Sequence, residues 1–456
     1  MKNETPTHAR RFVYLATAVT ALGGMLFGYD SGVISGAILF IKKDFSLSPG
    51  LEGIVVSSVL LGSLIGALAG GILADRLGRR RLLIITAAVF GLGAVGAAVA
   101  PSMSWLVAAR LVVGAAIGIA SFVAPLYISE IAPVDIRGKL VSVNQLALTS
   151  GIVISYLVDY AFAGSQSWRW MFALGVIPAA ALGVGLMFVS NSPRWLLARG
   201  HAEEARAVLE RIRSSEAVAG ELSDIQQSVA QQKGHWSELV SRHLRPAMTL
   251  GIGLAIAQQV TGINTVIYYG PTIFKLAGFA SSSVAILASV GVGVVNVAMT
   301  VVAMQLLDRV GRRPLLLVSL AGMTLSLFVL GAAFSFQQLS GSLGWIAVAS
   351  LMLYVGSFAV GLGPVFWLVL SEIYPLRVRG RAMSVGTVAN WGANFLVALS
   401  FLTLIQFLGN AATFWLYGVV SIGSWIFAFF LMPETKGRSL EQIEAHWRTG
   451  KKPREL

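Results

Sequence analysis

Long apolar stretches dominate this chain. Runs free of Asp, Glu, Lys and Arg cover residues 12–29, 53–74, 82–109, 111–129, 140–158, 170–193, 246–274, 276–307, 314–371 and 382–433. A helix needs about 20 mostly apolar residues to cross the hydrocarbon core of a bilayer. The last two runs are long enough for two crossings each, and both hold a polar, glycine-bearing break, at 335–344 and 406–410. The run 82–109 breaks at Ala100-Pro101-Ser102. With the segment 31–41 joined to the first run, the pattern predicts twelve helices, six before and six after a charged stretch at 194–245. The expected fold class is an all-α polytopic membrane protein. It divides into an N-terminal half (1–193), a linker (194–245), a C-terminal half (246–433) and a tail (434–456).

The linker carries 8 basic and 7 acidic residues over its 52 positions. Ala205, Val208, Leu209 and Ile212, then Leu222, Ile225 and Val229, recur at helical spacing. This predicts short amphipathic helices on one membrane face, because so few apolar residues cannot build a separate domain core.

Composition agrees with the pattern. Only 12% of residues are charged, about half the 25% or so of soluble domains. That excludes an ordinary water-soluble enzyme and a disordered chain. The net charge of +13 could signal nucleic acid, but its placement argues otherwise. With the termini on one side, 29 of the 34 lysines and arginines fall on that side. The exceptions are Lys42, Lys43, Arg110, Arg169 and Lys275. By the positive-inside rule the basic side is cytoplasmic, and no nucleic-acid partner is expected. The N-terminal residues lack a short apolar core with a cleavage site, so the first helix itself is expected to direct insertion into the cell membrane. The chain has no cysteine, and its five histidines lie in the predicted tails and linker. Neither metal spacing nor a phosphate-binding loop occurs. No enzyme activity and no cofactor are expected.

Two motifs repeat in register. Asp75-Arg76-Leu77-Gly78-Arg79-Arg80 follows helix 2, and Asp308-Arg309-Val310-Gly311-Arg312-Arg313 follows helix 8. Ser129-Glu130-Ile131 with Arg137-Gly138 follows helix 4, and Ser371-Glu372-Ile373 with Arg379-Gly380 follows helix 10. The chain therefore reads as two related halves, the parallel-repeat plan of alternating-access carriers. Simple topogenic charge would explain one such loop. Two motif types in register favour a gate, with Asp75, Arg79, Glu130, Arg137, Asp308, Arg312, Glu372 and Arg379 pairing across helix ends.

Two lone charges stand inside the predicted helices. Asp30 is the only one between Phe12 and Ile41, and Arg110 the only one between Arg81 and Glu130. Each costs about 2.5–3.5 kcal/mol at a helix centre on insertion scales, so both should face the interior and can pair. They read either as a packing ion pair or as a proton site, since desolvation favours a neutral acid and an arginine the charged one. Glycines spaced by four (24, 28, 32 and 36; 62, 66 and 70; 114 and 118) let these helices approach closely.

A second group is uncharged. Gln258, Gln259 and Asn264 lie within seven residues around Gly262, which can loosen helix 7. Gln145, Asn296, Asn390 and Asn394 add further amides, and Trp367 follows Gly361, Gly363 and Pro364. Amides need partners when buried. They serve either as interhelical glue or as a sugar site, where hydroxyls pair with amides and C–H faces stack on an indole.

These motifs together resemble the sugar porters of the major facilitator superfamily over nearly the whole chain. The carriers of the resemblance are Gly28-Tyr29-Asp30 with Gly32-Val33-Ile34-Ser35-Gly36, Asp75–Arg80, Arg137-Gly138, Ser192-Pro193-Arg194-Trp195, Gln258–Asn264, Gly363-Pro364 and Pro433-Glu434-Thr435-Lys436-Gly437. The resemblance is closest to bacterial proton-coupled monosaccharide symporters. It implies the major facilitator fold, Asp30 as proton carrier with Arg110 as partner, and sugar contacts from Gln145, Gln258, Gln259, Asn264, Asn296, Trp367 and Asn390. It also implies that Phe27, Gly363 and Trp391 lie nearby. The implied function is proton symport of a glucose-like hexose or a pentose. A facilitative sugar uniporter is the alternative, and a non-transporting sugar sensor is a more distant one. One departure stands out: Ser190-Asn191 replaces the usual Pro-Glu, removing an acid from the expected gate.

Overall fold

In the computed structural model the described residues are 7–133, 136–213, 215–231, 235–336, 341–375, 377–438, 440–449 and 454. Among them, twelve helices are long and apolar enough to cross a membrane. Spans 1 to 6 are Arg10–Asp44, Pro49–Leu77, Arg79–Ala98, Met103–Ile131, Arg137–Ala163 and Trp168–Met187. Spans 7 to 12 are Arg245–Leu276, Ser282–Leu307, Arg312–Ser335, Leu343–Glu372, Arg379–Leu408 and Asn410–Leu431. The chain is an all-helical multi-pass membrane protein, and the predicted breaks at Pro101–Ser102, near 335–344 and at Gly409 separate spans as expected. Span 5 runs past the apolar stretch that predicted it and takes in Asp159.

Close approach at glycines fixes the packing. A Cβ at Gly28 would land on the Leu148 carbonyl oxygen, and one at Gly114 on that of Val59. Span 1 therefore lies against span 5, and span 2 against span 4, backbone to backbone. Two spans are broken in mid-course. Gly262 adopts φ +93°, ψ 15°, a left-handed conformation that favours glycine, and divides span 7 into Arg245–Val260 and Ile263–Leu276. Gly361 (φ −125°, ψ −84°) divides span 10 into Leu343–Val360 and Leu362–Glu372. Such breaks leave backbone carbonyls free at mid-depth, where only protein groups or a cavity can satisfy them.

The first six and last six spans meet at mid-depth and towards the face opposite the basic loops. Gly53 abuts Leu399, Gly293 abuts Val153 and Tyr156, and the Tyr156 hydroxyl donates to the Ile267 carbonyl at 2.9 Å. The Phe27 and Trp391 rings pack at 5.4 Å between centroids. At the basic face, a Cβ added to Gly138 or Gly380, where spans 5 and 11 begin, would meet no atom of the described residues within 4 Å.

The linker forms helices Pro193–Ala198, Ala202–Ile212 and Ser215–Gln231, and buries Ala205, Val208, Leu209 and Ile212 as their spacing predicts. Arg213 holds it to the first six spans. Its Nη1 donates to the Ile131 carbonyl at 3.0 Å, while Glu221 binds its Nε at 2.6 Å. The tail helix Leu440–Thr449 does the equivalent work on the second six, where Trp447 Nε1 donates to the Ile373 carbonyl at 2.9 Å. Ile131 and Ile373 occupy the same place in the repeated Ser-Glu-Ile motif.

Candidate functional site

Asp30 and Arg110 meet, as their isolation in the sequence predicts. Arg110 Nη1 lies 3.4 Å from Asp30 Oδ1, with Arg110 0% and Asp30 4% exposed. Arg110 Nε donates to the Val55 carbonyl at 2.9 Å, and its guanidinium faces the Phe172 ring at 5.6 Å. The pair therefore ties span 1 to span 4 and, through Val55, to span 2. At 3.4 Å with a single contact it is a loose pair, so a small movement of span 1 alters it substantially.

The amides of span 7 form one network around its break. Gln258 Nε2 donates to the Leu362 and Gly363 carbonyls at 3.3 and 3.2 Å, at the start of the second half of span 10, and so ties the two broken spans together. Its Oε1 accepts from Gln259 Nε2 at 3.2 Å and from Asn390 Nδ2 at 2.8 Å. Gln259 Nε2 also donates to Asn390 Oδ1 at 3.1 Å, and Gln259 Oε1 accepts from Asn264 Nδ2 at 2.7 Å. Asn390 further anchors to the Ala255 carbonyl at 3.0 Å. Gln258, Gln259, Asn264 and Asn390 thus act as a single pre-arranged surface of donors and acceptors. The Tyr354 hydroxyl holds the break from behind, donating to the Thr261 carbonyl at 2.7 Å.

The remaining sugar-contact candidates lie outside this hydrogen-bonded group. Asn296 lines a small cavity with Ile152, Tyr156, Val266, Ile267 and Val292. Gln145 is half-buried on span 5, and its side chain has no hydrogen-bond partner among the described residues. Trp367 is 40% exposed and packs on Phe366 with centroids 4.7 Å apart.

The charge cluster at the basic face pairs in a definite way. The sequence groups Asp75, Arg79, Glu130, Arg137, Asp308, Arg312, Glu372 and Arg379 without assigning partners. Glu130 pairs with Arg79 at 2.9 Å and Glu372 with Arg312 at 2.9 Å. Arg79 and Arg312 open spans 3 and 9, directly beside the last turns of spans 4 and 10, whereas Arg137 and Arg379 start new spans beyond a loop. Arg379 donates to the Tyr374 carbonyl, and Arg137 lies in the field of Arg213, Glu221 and Arg194. Asp75 contacts Arg79 at 3.4 Å but is largely exposed. The side chain of Asp308 lies outside the described residues. Each of these pairs is thus formed within its own six-span unit.

The Ser190-Asn191 departure has a visible consequence. Glu434 accepts from the Arg312 and Arg313 N–H groups, both at 3.1 Å, and so caps the start of span 9. At the equivalent start of span 3, Gly78 instead lies against the Trp195 ring, and Asn191 Oδ1 is buried without a partner among the described residues.

Sequence reasoning missed Asp159, which is fully buried with Oδ2 accepting from the Gly36 N–H at 3.2 Å. It also missed Tyr156. Extending the helix of run 140–158 by one turn would have placed Asp159 with Ile152 and Ser155 on the face that meets the glycine stripe of span 1, while Tyr156 turns towards Gly293 and Ile267.

Comparison with known proteins settles the family. Residues 16–447 match the family described as "Sugar (and other) transporter". The chain belongs to it. It is 43% identical to the D-xylose transporter of Levilactobacillus brevis, over 96% of both chains. It is 40% identical to the arabinose-proton symporter of Escherichia coli K12, over 98% of this chain and 96% of that one. Its fold matches the inward-open conformation of the xylose transporter XylE from E. coli with a TM-score of 0.84. That match is 34% identical and covers 96% of this chain and all of the other. The proton:xylose symporter XylE bound to 6-bromo-6-deoxy-D-glucose matches at 0.81 and 35% identity, over 96% and 99% of the two chains. The fold is that of the major facilitator superfamily, and the protein is a sugar transporter rather than an enzyme.

Proposed function

We propose that this sugar transporter is a proton-coupled monosaccharide symporter working by alternating access, with the basic face cytoplasmic. The units 1–193 and 246–433 rock about the seam where Phe27 meets Trp391. The observation that carries the reading is the buried, loosely held pair between Asp30 on span 1 and Arg110 on span 4, with span 1 packed against the Ile263–Leu276 half of span 7. A carboxylate whose contact with an arginine changes with conformation changes its hold on a proton, which is the physical requirement for coupling. The relatives named as proton symporters of arabinose and galactose support the sugar class.

In this mechanism the sugar enters from outside and its hydroxyls engage Gln258, Gln259, Asn264 and Asn390, with Gln145, Asn296 and Trp367 completing the walls. Asp30 takes a proton from the same side. A neutral Asp30 loses its charge attraction to Arg110, and span 1 becomes free to shift with its unit. The basic face then opens, the sugar leaves, and Arg110 helps draw the proton off Asp30 by stabilising the carboxylate. The pairs Arg79–Glu130 and Arg312–Glu372 keep each unit rigid at the basic face as it moves. The test is sugar uptake into proteoliposomes across a panel of pentoses and hexoses, with and without an imposed proton gradient. Symport predicts accumulation only with the gradient, whereas equal uptake in both conditions would indicate a uniporter.

A further inference from the structure

Asp159 has no part in the mechanism above, yet it is as deeply buried as Arg110. Its Oδ2 accepts one bond, from Gly36 N–H, and its Oδ1 has no donor among the described residues. A Cβ at Gly36 would collide with the carboxyl group, so this glycine allows the backbone of span 1 to reach it.

Among the described residues no cation is placed to balance a charge here. Span 5 packs on spans 1, 4, 6 and 8 and touches span 7 through Tyr156 and Ile267. Span 7 carries Tyr268, Tyr269 and Lys275 there, and the Lys275 ammonium donates to the Ala280 carbonyl at 2.6 Å. In the outer parts of spans 1, 4 and 6 the ionisable groups are Tyr29, Asp30, Lys42, Lys43 and Asp44 on span 1, Arg110 on span 4 and Arg169 on span 6. Span 8 has none between Ser282 and Leu307, and span 5 itself adds Tyr156 and Tyr160. Arg110 is committed to Asp30, and Arg169 to Asp44 at 3.6 Å. Lys42 and Lys43 end span 1 outside the buried core. A carboxylate this buried, with one N–H donor and no counter-ion, is costly. The neutral acid is the form that fits.

The surroundings of Asp159 also depend on conformation. Tyr156, one turn earlier on span 5, donates to the Ile267 carbonyl of span 7 and helps to seal the outer end. On the alternating-access reading, opening that end breaks the bond and admits water beside Asp159, and hydration favours the carboxylate.

We propose that Asp159 is a second proton-binding site, distinct from Asp30, that is loaded while the outer end is closed and emptied when it opens. The proton comes from outer water and returns to it, so the site adds nothing to transport stoichiometry. It acts as a lock, because a proton bound only in the closed form favours that form as the outer medium becomes more acidic. The inference rests on the alternating-access reading. Its test uses neither sugar nor gradient, so the two can fail separately.

The experiment places spin labels on the outer ends of spans 2 and 11 through Gly50→Cys and Leu408→Cys, in a chain with no native cysteine. Distances are measured in liposomes at acidic and alkaline pH. In the Asp30→Asn background, acid should enrich the short-distance, outer-closed population. Adding Asp159→Asn, which keeps an acceptor for Gly36, should abolish that response. An identical response in both variants, or none in either, overturns the proposal. A second measurement needs no change at Asp159: infrared spectra of Asp30→Asn should show a protonated carboxyl band that is lost in alkali. Its absence would equally overturn the proposal.

Discussion

Gln259 is the hub of the amide network, and its removal gives the sharpest test of the sugar site. Its Nε2 bonds both Gln258 Oε1 and Asn390 Oδ1, at 3.2 and 3.1 Å, and its Oε1 receives Asn264 Nδ2 at 2.7 Å. Gln259→Ala strips one partner each from Asn390 Oδ1 and Asn264 Nδ2, while Gln258 Oε1 keeps its bond from Asn390. A buried polar group left without its partner costs about 1–3 kcal/mol. Water admitted to the truncated site offsets part of this, so the loss should be that of about one group rather than two. Affinity should fall roughly 5- to 150-fold. Gln259→Glu keeps the shape but turns two donor contacts into oxygen facing oxygen, and should weaken binding at least as much. Binding is read by tryptophan fluorescence or calorimetry on purified protein. Arg206→Ala, on an exposed Arg206–Glu210 pair, serves as a control with no expected change. Unchanged affinity in Gln258→Ala, Gln259→Ala and Asn264→Ala would show the amides to be interhelical glue.

The remaining expectations concern coupling, the charge cluster and packing. Asp30→Asn should abolish uphill accumulation while sugar exchange persists, and Arg110→Leu should impair accumulation in the same assay. Concentrative uptake by Asp30→Asn would remove this residue from the mechanism. Glu130→Gln with Glu372→Gln takes one carboxylate from each six-span unit. The expected result is a lower Tm with little change in maleimide labelling of cysteines at the outer ends, whereas slower outer labelling would show that these acids hold the two units together at the basic face. Gly114→Ala drives a methyl into the Val59 carbonyl and should cost about 1–3 kcal/mol through overpacking, read as a Tm shift.

Much of the architecture was legible because the membrane imposes it. Runs free of charge had to be spans, and basic residues had to collect at one face. Gly262 among three amides marked the break in span 7, and two isolated opposite charges had few partners besides each other. What stayed hidden depended on which helices touch. Glu130 had two arginines in reach of its motif, and only the packing of span 3 along span 4 selects Arg79 over Arg137. The bonds from Gln258 to Leu362 and Gly363 need two broken spans to meet, a contact separated by more than a hundred residues. Asp159 was hidden by the reading rule itself, since a charge ended the predicted helix one turn too early. Arg213 and Trp447 are hidden differently, because one lies in the linker and the other in the tail, yet both reach the same place in the repeat.

Sugar-driven proton movement tests the central claim most directly. Proteoliposomes with no imposed gradient are mixed with sugar in weakly buffered medium while the external pH is followed. Symport carries protons inward with the sugar, so the medium should become more alkaline, and the change should be absent in Asp30→Asn. Sugar entry at the normal rate with a steady external pH would contradict proton coupling and leave a uniporter.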